Sequence, residues 1–212
     1  MLQQYGFIIW DWNGTLLDDA RLCLEIVNEM LAARGKRRIT YERYQEEFDF
    51  PVQQFYQRLG LDFSTQPFDT FASDYITRYD ERCLTCNLQD HARDVLQHCQ
   101  DMGIAQSVLS AYYQAGLERM VDFFNVRHYF ANIAGLDNYH AASKVQRGKW
   151  LTEQSGVDSD KVLLVGDTVH DHEVAKAIGA DCVLIVSGHQ LKERLEGCGV
   201  PVLESLAEFR PR

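Results

Sequence analysis

Residues 7 to 15 read Phe7-Ile8-Ile9-Trp10-Asp11-Trp12-Asn13-Gly14-Thr15, an apolar run that ends in an aspartate and a glycine turn. The run predicts a buried β-strand. A carboxylate at the end of such a strand is costly to bury unless a cation or a hydrogen-bond donor compensates it. In open α/β sheets, ligands bind at the carboxyl edge of the strands. The stretch therefore indicates a functional site at Asp11, although Asn-Gly is also a common turn signal.

The size of the chain, 212 residues, fits one main domain with a smaller insert. Its net charge of −10 and its pI near 5.1 argue against nucleic acid or an anionic membrane as a partner, because both need a basic surface. We find no secretory leader before the first strand and no apolar run of membrane-spanning length. We therefore expect a cytoplasmic protein that is a monomer or a homodimer.

The six cysteines are scattered, mostly among apolar neighbours, and we expect them to be reduced. Cys83 and Cys86 have the spacing of a redox or zinc-binding pair. No second pair and no nearby pair of histidines completes a zinc site. We interpret these two cysteines as small, half-buried residues near a helix end.

From residue 89 onward, amphipathic segments alternate with short apolar runs. The predicted strands are 104–109, 129–133, 161–165, 182–186 and 201–203, and the predicted helices are 90–102, 112–124, 144–154 and 172–178. Strands that alternate with helices form βαβ units. The fold class that follows is α/β, with a parallel sheet and helices on both faces.

Residues 17–86 have a different pattern, in which apolar residues recur at helical spacing and no strand stands out. The predicted helices are 20–33, 40–48, 52–59 and 68–83. We therefore predict a small all-helical cap, residues 17–86, inserted after the first strand. The catalytic core would comprise residues 1–16 and 87–212, with hinges near Leu17 and Asn87.

Polar side chains follow several of the predicted strands at the point where each strand ends, or open the next helix. In chain order they are Asp11 and Asn13, Ser110 and Ala111, Lys144, and Asp167 and Asp171. Each feature alone is common on protein surfaces, but the carboxyl ends of parallel strands meet at one edge of a sheet. Asp171 is placed to hold a metal-bound water or to fix Lys144.

These side chains are suited to separate roles in phosphoryl transfer. Asp11 and Asp167 are hard oxygen donors suited to Mg²⁺, which also binds water and substrate phosphate oxygens. Ser110, the Ala111 amide and Lys144 supply hydrogen-bond donors and positive charge for the oxygens of a phosphoryl group. Asp11 can attack phosphorus in line and form an aspartyl-phosphate.

With these motifs the chain resembles the haloacid dehalogenase-like hydrolase superfamily. Residues 11–15 look like its first motif, Ser110 its second, Lys144 its third and residues 166–171 its fourth. The helical insert is similar to the small cap of the phosphoglycolate-phosphatase-like branch. The resemblance covers nearly the whole chain.

The resemblance implies a Rossmann-like core, dependence on Mg²⁺ and hydrolysis of a small phosphorylated metabolite. It implies that Asp11 is the nucleophile and a metal ligand, that Asn13 offers its backbone carbonyl to the metal, and that Asp167 completes the metal site. The implied phosphate-binding residues are Asn13, Gly14, Ser110, Ala111 and Lys144, and the implied catalytic residues are Asp11, Asn13, Ser110 and Lys144.

The sequence departs from this family at Asn13, where its phosphatases ordinarily carry a second aspartate. That aspartate protonates the leaving group and then activates water, and such help is typically worth about 10²–10⁴-fold. An amide cannot exchange a proton at neutral pH, although its backbone carbonyl is unchanged. Ala111 also replaces the usual asparagine of the second motif, which is a milder change.

Three interpretations follow. The protein is a phosphatase whose acid–base function is weakened or supplied elsewhere, with His170 as a possible source because its ordinary pKa is near neutrality. Alternatively, its substrate is an acyl phosphate or phosphoanhydride, whose good leaving group needs no acid. In the third, it binds a phosphorylated ligand without turning it over. The simpler interpretation of His170 is a loop residue that faces solvent.

The cap offers candidate substrate contacts at Phe48, Phe50, Gln54, Tyr56 and Arg58, where aromatic and cationic side chains alternate. Arg58 is suited to a second anionic group on the substrate. The simpler interpretation is a small aromatic core with a solvated arginine. The identity of the substrate does not follow from these residues.

Overall fold

The computed structural model describes residues 2–64, 67–136 and 144–209. Within these ranges the main sheet has six parallel strands, in the order β5-β4-β1-β6-β7-β8. The strands are β1 (Phe7–Trp10), β4 (Ala105–Tyr113), β5 (Asn132–Leu136), β6 (Val162–Gly166), β7 (Asp181–Ile185) and β8 (Val202–Leu203). Two short strands, β2 and β3, lie outside this sheet.

The central strand β1 is apolar throughout because both of its faces are covered. Side chains alternate across a strand, so Ile8 and Trp10 join one buried cluster while Phe7 and Ile9 join the other. Helices α5 (Ala92–Asp101) and α6 (Gln114–Phe123) pack in the first cluster, and α7 (Lys144–Ser155) and α8 (Val169–Ile178) pack in the second. Helix α9 (Lys192–Glu196) also packs in the second cluster. The predicted α/β class, with helices on both faces of a parallel sheet, is confirmed.

The helical insert joins the core through two strands that pair with each other. Strand β2 (Leu17–Asp18) lies antiparallel to β3 (Asn87–Leu88). Between them come α1 (Ala20–Ala32), α2 (Tyr41–Glu47), α3 (Val52–Arg58) and α4 (Phe68–Arg82). The prediction that residues 17–86 contain no strand is therefore wrong at residues 17–18, because a two-residue strand is too short to give an alternating pattern.

Strand β1 is flanked by β4 and β6, and this arrangement positions the site. The chain runs from β1 outward to β5 on one side and from β6 outward to β8 on the other. Ligands of open α/β sheets bind where the strand order reverses in this way. The carboxyl ends of β4, β1 and β6 therefore surround one crevice, next to Asp11.

Several boundaries differ from those predicted. Strand β4 continues to Tyr113 and α6 begins at Gln114, whereas the sequence pattern ended the strand at Leu109. The register with β5 shifts between Leu109 and Tyr113, so an irregular stretch that includes Ser110 extends the strand. Strand β5 occupies residues 132–136 and not 129–133. The helix-opening residue Ser143, predicted near the start of α7, lies outside the described residues.

Helix α8 begins at Val169, three residues before the predicted start. Thr168 caps it, since its side chain accepts from the Asp171 backbone while the Asp171 carboxylate accepts from the Thr168 backbone. His170 therefore lies in the first turn of a helix and not in a loop. Among the described residues, no helix is long and apolar enough to cross a membrane.

Candidate active site

Asp11, Lys144 and Asp171 form a buried charged triad. The Lys144 ammonium donates to Asp11 Oδ1 and to Asp171 Oδ1, in both cases over 2.6 Å. Asp11 is 6% exposed and Lys144 3% exposed, while Asp171 is fully buried. The prediction that Asp171 is placed to fix Lys144 agrees with these distances.

Asp167 lies beside this triad and is held from two sides. Its Oδ1 accepts from the Thr15 hydroxyl over 2.9 Å, and its Oδ2 accepts from the His189 backbone over 2.6 Å. The loop at Gly188 approaches so closely that a Cβ there would lie 2.0 Å from Asp167 Oδ2. Glycine is therefore required at this position for Asp167 to keep its place.

The pKa shifts in this cluster reflect burial and the charge of Lys144. Burial raises the pKa of Asp11 well above its usual range, the Lys144 charge opposes this, and Asp171 and Asp167 add to it. Burial also raises the pKa of Asp167 to about 6. For Asp171, burial is outweighed by the charge and hydrogen bond of Lys144, which lower its pKa. Lys144 thus serves Asp11 and Asp171, while the charge of His189 partly offsets the rise in the pKa of Asp167.

The donor set of this cluster fits Mg²⁺. Carboxylate oxygens of Asp11, Asp167 and Asp171 all lie within 4.8 Å of one another. Mg²⁺ prefers hard oxygen ligands and uses few carboxylates. Because Asp171 already binds Lys144 and caps α8, Asp11 and Asp167 are the two carboxylates suited to a cation.

Asn13 is held rigidly by its side chain. Its amide nitrogen donates to Asp19 Oδ2 and to the Tyr79 hydroxyl, both over 2.8 Å, and its Oδ1 accepts from Ser110 Oγ over 3.0 Å. The Tyr79 hydroxyl also donates to Asp19 Oδ2, over 2.5 Å. The Asn13 side chain is therefore held between Ser110 of the core and Tyr79 of α4.

A buried ion pair lies behind Asn13. His189 Nε2 is 3.5 Å from Asp19 Oδ1, and His189 Nδ1 is hydrogen-bonded to the Tyr44 hydroxyl over 2.8 Å. Burial lowers the pKa of His189, but the hydrogen bond and charge of Asp19 outweigh it and raise the pKa to about 9. The Gly14 amide also donates to Asp19 Oδ1, over 2.9 Å. Asp19 thus holds both the first loop of the site and His189.

Asp19, His189, Tyr44 and Tyr79 were not among the residues predicted from the sequence. His189 follows β7 just as Asp167 follows β6, so the rule about strand ends would have selected it. Asp19 caps the N-terminal end of α1 and gives no signal of its own. Tyr44 and Tyr79 come from the cap helices, and their place at the site depends on how the cap packs.

The described residues line a partly open cavity of about 160 Å³ next to Asp11. Asp11, Asn13, Ser110, Ala111 and Lys144 contribute to its polar end. Its remaining wall is mainly aromatic and comes from the cap, including Phe48, Phe50, Tyr56, Phe68, Tyr75 and Tyr79. The predicted site residues of β1, β4 and α7 therefore line one space, and Asp167 binds Thr15 directly behind it.

Arg58 and Gln54 do not line this cavity. The Arg58 guanidinium donates to the Glu47 carboxylate over 3.1 Å and to the Glu47 carbonyl over 2.5 Å, at an exposed position. This exposed ion pair agrees with the simpler interpretation of Arg58 as a solvated arginine. Phe48, Phe50 and Tyr56 do line the cavity.

His170 is largely buried and does not face solvent as the simpler interpretation expected. Its ring lies 4.7 Å from that of Phe50, and its Nδ1 is 3.4 Å from Glu173 Oε2. Burial lowers its pKa. His170 is not among the residues that line the cavity, so it has no contact there from which to protonate a leaving group.

Comparisons with known proteins agree with this architecture. The sequence profile of the haloacid dehalogenase-like hydrolase family matches residues 8–185. A phosphoglycolate phosphatase of Mesorhizobium japonicum is 23% identical over 191 residues, 86% of this chain and 83% of that protein.

Two solved structures are similar in fold. A haloacid dehalogenase-like family hydrolase of Streptococcus pneumoniae has a TM-score of 0.83 at 15% identity and covers 98% of this chain and 99% of its own. Protein tyrosine kinase A of Mycobacterium tuberculosis has a TM-score of 0.80 at 21% identity, covering 98% and 97%. At such identities the two structures establish the fold alone.

Proposed function

This chain belongs to the haloacid dehalogenase-like hydrolase family, and on that basis we propose that it is a Mg²⁺-dependent phosphatase of a small phosphorylated metabolite. A relative named as a phosphoglycolate phosphatase supports the reaction class. The observation that carries the proposal is the position of Lys144, whose ammonium lies 2.6 Å from Asp11 Oδ1 where both residues line the cavity. A cytoplasmic location and a monomeric or dimeric state stay predictions.

Asp11 is the proposed nucleophile. Its carboxylate oxygen attacks phosphorus, the bond from phosphorus to the leaving oxygen breaks, and an aspartyl-phosphate forms. Water then attacks phosphorus, inorganic phosphate departs and the carboxylate is restored. Mg²⁺ bound by Asp11, Asp167 and the Asn13 backbone carbonyl would supply positive charge to the phosphoryl oxygens.

The other residues position the phosphoryl group and hold its charge. Lys144 is aligned by Asp171 and offers its ammonium to the phosphoryl oxygens. Ser110 Oγ donates to Asn13 Oδ1 over 3.0 Å and accepts from the Tyr112 amide over 3.0 Å, which fixes the hydroxyl at the edge of the cavity. The Ala111 amide is the proposed backbone contact, whereas the Gly14 amide already donates to Asp19 Oδ1 over 2.9 Å.

A second candidate function, capture of a phosphorylated ligand without turnover, is favoured by one observation. The Asn13 amide is bound to Asp19 and Tyr79, so the position that supplies a proton in related phosphatases holds a fixed group that cannot donate one to a leaving alkoxide. Binding through Asp11, Lys144 and a cation would be unaffected by this change.

The experiment that separates the two is a phosphatase assay with p-nitrophenyl phosphate and Mg²⁺, run beside capture of beryllium fluoride followed by ¹⁹F NMR. If the unmutated protein shows both turnover and capture, and Asp11→Asn shows neither, the result supports the phosphatase. Capture without turnover supports the binding protein. Asp18→Asn, an exposed aspartate of β2, is the matched control and should keep both. Turnover retained in Asp11→Asn would refute the proposed nucleophile.

A further inference from the structure

We infer that the substrate is an aryl phosphate, that is, a phosphorylated phenol whose ring occupies the cavity between the cap helices and Asp11. This inference rests on the proposed phosphatase function and names its substrate class. Three features support it. The cavity has an aromatic wall and the volume of one ring, its charged residues are already paired with one another, and residue 13 carries an amide where an acid would be needed for a poor leaving group.

The wall opposite Asp11 is suited to an aromatic ring. Seven of the residues that line it are aromatic and belong to the cap helices or to the loops between them: Tyr44, Phe48, Phe50, Tyr56, Phe68, Tyr75 and Tyr79. Aromatic rings pack favourably edge to face or offset against one another, with centroids 4.5 to 7 Å apart. The wall already does so, since the rings of Phe48 and Phe50 meet edge to face at 5.6 Å.

The size of the cavity matches one ring. Its volume is about 160 Å³, and an apolar cavity of about 150 Å³ in another protein binds one benzene molecule. Because the phosphoryl group must reach Asp11 at the polar end, the cavity has room for a single ring attached to it.

The charged residues of the described lining are already paired with one another. Lys144 binds Asp11 and Asp171, and His189 lies beside Asp19. A substrate with a carboxylate or a second phosphate beyond the transferred phosphoryl group would place that charge against aromatic rings. Burying an unpaired charge is strongly unfavourable, so the lining favours an uncharged leaving group.

The amide at position 13 favours a leaving group that departs without a proton. Phenols ionise near pH 10, as tyrosine does, so a phenolate is a far better leaving group than an alkoxide. When Asp11 attacks, the bond from phosphorus to the phenolic oxygen breaks and its electron pair stays on that oxygen. Hydrolysis of the aspartyl-phosphate by water yields hydrogen phosphate and releases one proton, which neutralises the phenolate.

These features also distinguish among good leaving groups. Phosphoanhydrides leave readily, but their second phosphate carries charge for which the described aromatic wall has no unpaired cation. Acetyl phosphate is uncharged beyond its phosphoryl group, but it would leave most of the cavity unfilled. An aryl phosphate satisfies the requirements of leaving group, charge and volume together.

The test is a comparison of kcat/KM with Mg²⁺ for phenyl phosphate, acetyl phosphate, 2-phosphoglycolate and glucose 6-phosphate. We expect phenyl phosphate to exceed each of the others by about tenfold or more, the scale on which a well-matched pocket discriminates. Phenol should also inhibit competitively. A higher kcat/KM for acetyl phosphate, 2-phosphoglycolate or glucose 6-phosphate would overturn the inference.

A variant tests the cavity itself. Ala72 of α4 lines it, and Ala72→Leu would fill space that the ring needs. We expect KM for phenyl phosphate to rise by about tenfold, with a smaller rise for the smaller acetyl phosphate. Ser73→Leu, at the neighbouring exposed position of the same helix, should change neither KM. Equal KM values for the parent protein and Ala72→Leu would contradict the inference, provided that circular dichroism shows both folded.

Failure of this inference can be told from failure of the proposed function. If Asp11 captures beryllium fluoride and the enzyme prefers a charged phosphate ester, only the aryl assignment is wrong. If neither capture at Asp11 nor turnover of any phosphate occurs, the phosphatase proposal is wrong and the aryl assignment falls with it. The comparison of kcat/KM among the four substrates uses the unmutated protein, so it does not depend on whether any variant folds.

Discussion

The side-chain amide of Asn13 donates a hydrogen bond to Asp19 Oδ2 over 2.8 Å. This contact places a fully buried carboxylate directly behind the residue that departs from the family pattern. Burial alone would raise the pKa of Asp19, but hydrogen bonds and charge from His189, with bonds from Tyr79 and Asn13, lower it. The site therefore contains an ionised carboxylate that touches position 13.

Asn13→Asp should restore a proton donor. Two carboxylates about 3 Å apart cannot both ionise, so the pair would retain one proton near neutral pH. We expect kcat for benzyl phosphate, whose leaving group is an alkoxide, to rise by about tenfold or more, and kcat for phenyl phosphate to rise less. Steady-state kinetics measure both values.

The matched control for this change is Asn125→Asp, at an exposed position after α6, which should leave both rates as they are. If Asn13→Asp leaves kcat for benzyl phosphate unaltered, the missing acid is not the defect of this site. The melting temperature of Asn13→Asp should fall, because the amide bonds to Asp19 and Tyr79 are lost.

Lys144→Met should damage both activity and folding. Removing one partner from a buried ion pair costs about 3–5 kcal/mol, since the remaining charge is left uncompensated, and here Asp11 and Asp171 both lose their partner. We expect kcat/KM to drop by about 10²-fold or more. Chemical denaturation and steady-state kinetics measure the two effects. Lys149→Met, at an exposed position of the same helix, should change neither kcat/KM nor the free energy of unfolding. If the two variants change these quantities equally, the assigned role of Lys144 is ruled out.

Removal of divalent cations should abolish turnover, and Mg²⁺ should stabilise the fold. A ligand that binds only the folded state stabilises it by about 2.7 kcal/mol at a concentration 100 times its Kd. Thermal unfolding with EDTA and with increasing Mg²⁺ measures this shift. Asp167→Asn should remove most of the shift, whereas Asp160→Asn, at an exposed position, should keep it. A shift that survives intact in Asp167→Asn would place the cation elsewhere.

Gly188→Ala should disturb Asp167 without altering any charge. The added Cβ would lie 2.0 Å from Asp167 Oδ2, so the carboxylate must move away from the His189 amide. We expect the apparent Mg²⁺ affinity to fall by about tenfold, the lower end of effects seen when groups that orient metal ligands are changed. Gly197→Ala, where the nearest atom lies 3.2 Å from the added Cβ, serves as the control. Unaltered Mg²⁺ dependence in Gly188→Ala would show that this packing does not position the metal ligand.

The sequence predicted the parts of the site that follow from local pattern. Apolar strands that end in Asp11 and Asp167 indicated both the sheet and its functional edge, because strand ends of a parallel sheet converge. The places of Ser110 after a strand and of Lys144 at a helix start indicated these two residues, and the family resemblance agreed. The end of β4 was misplaced because the strand continues through an irregular stretch to Tyr113, which periodicity does not reveal.

The remaining parts depend on tertiary packing. Asp19 and Tyr79 are 60 residues apart, yet they share a hydrogen bond across the cavity wall. The shape of the cavity and the pairing of Arg58 with Glu47 depend on how the short helices pack. No local sequence pattern predicts either feature. The inference about substrate therefore required the fold, whereas the inference about the nucleophile did not.

The most direct test of the central claim is to identify the phosphorylated residue. The enzyme is mixed with phenyl phosphate and Mg²⁺, quenched in acid within milliseconds, reduced with borohydride and mapped by mass spectrometry, with Asp11→Asn and Asp18→Asn treated in parallel. The prediction is modification at Asp11 in the parent protein and in Asp18→Asn, and none in Asp11→Asn. Modification at any other residue, or turnover with Asp11 never modified, would contradict it.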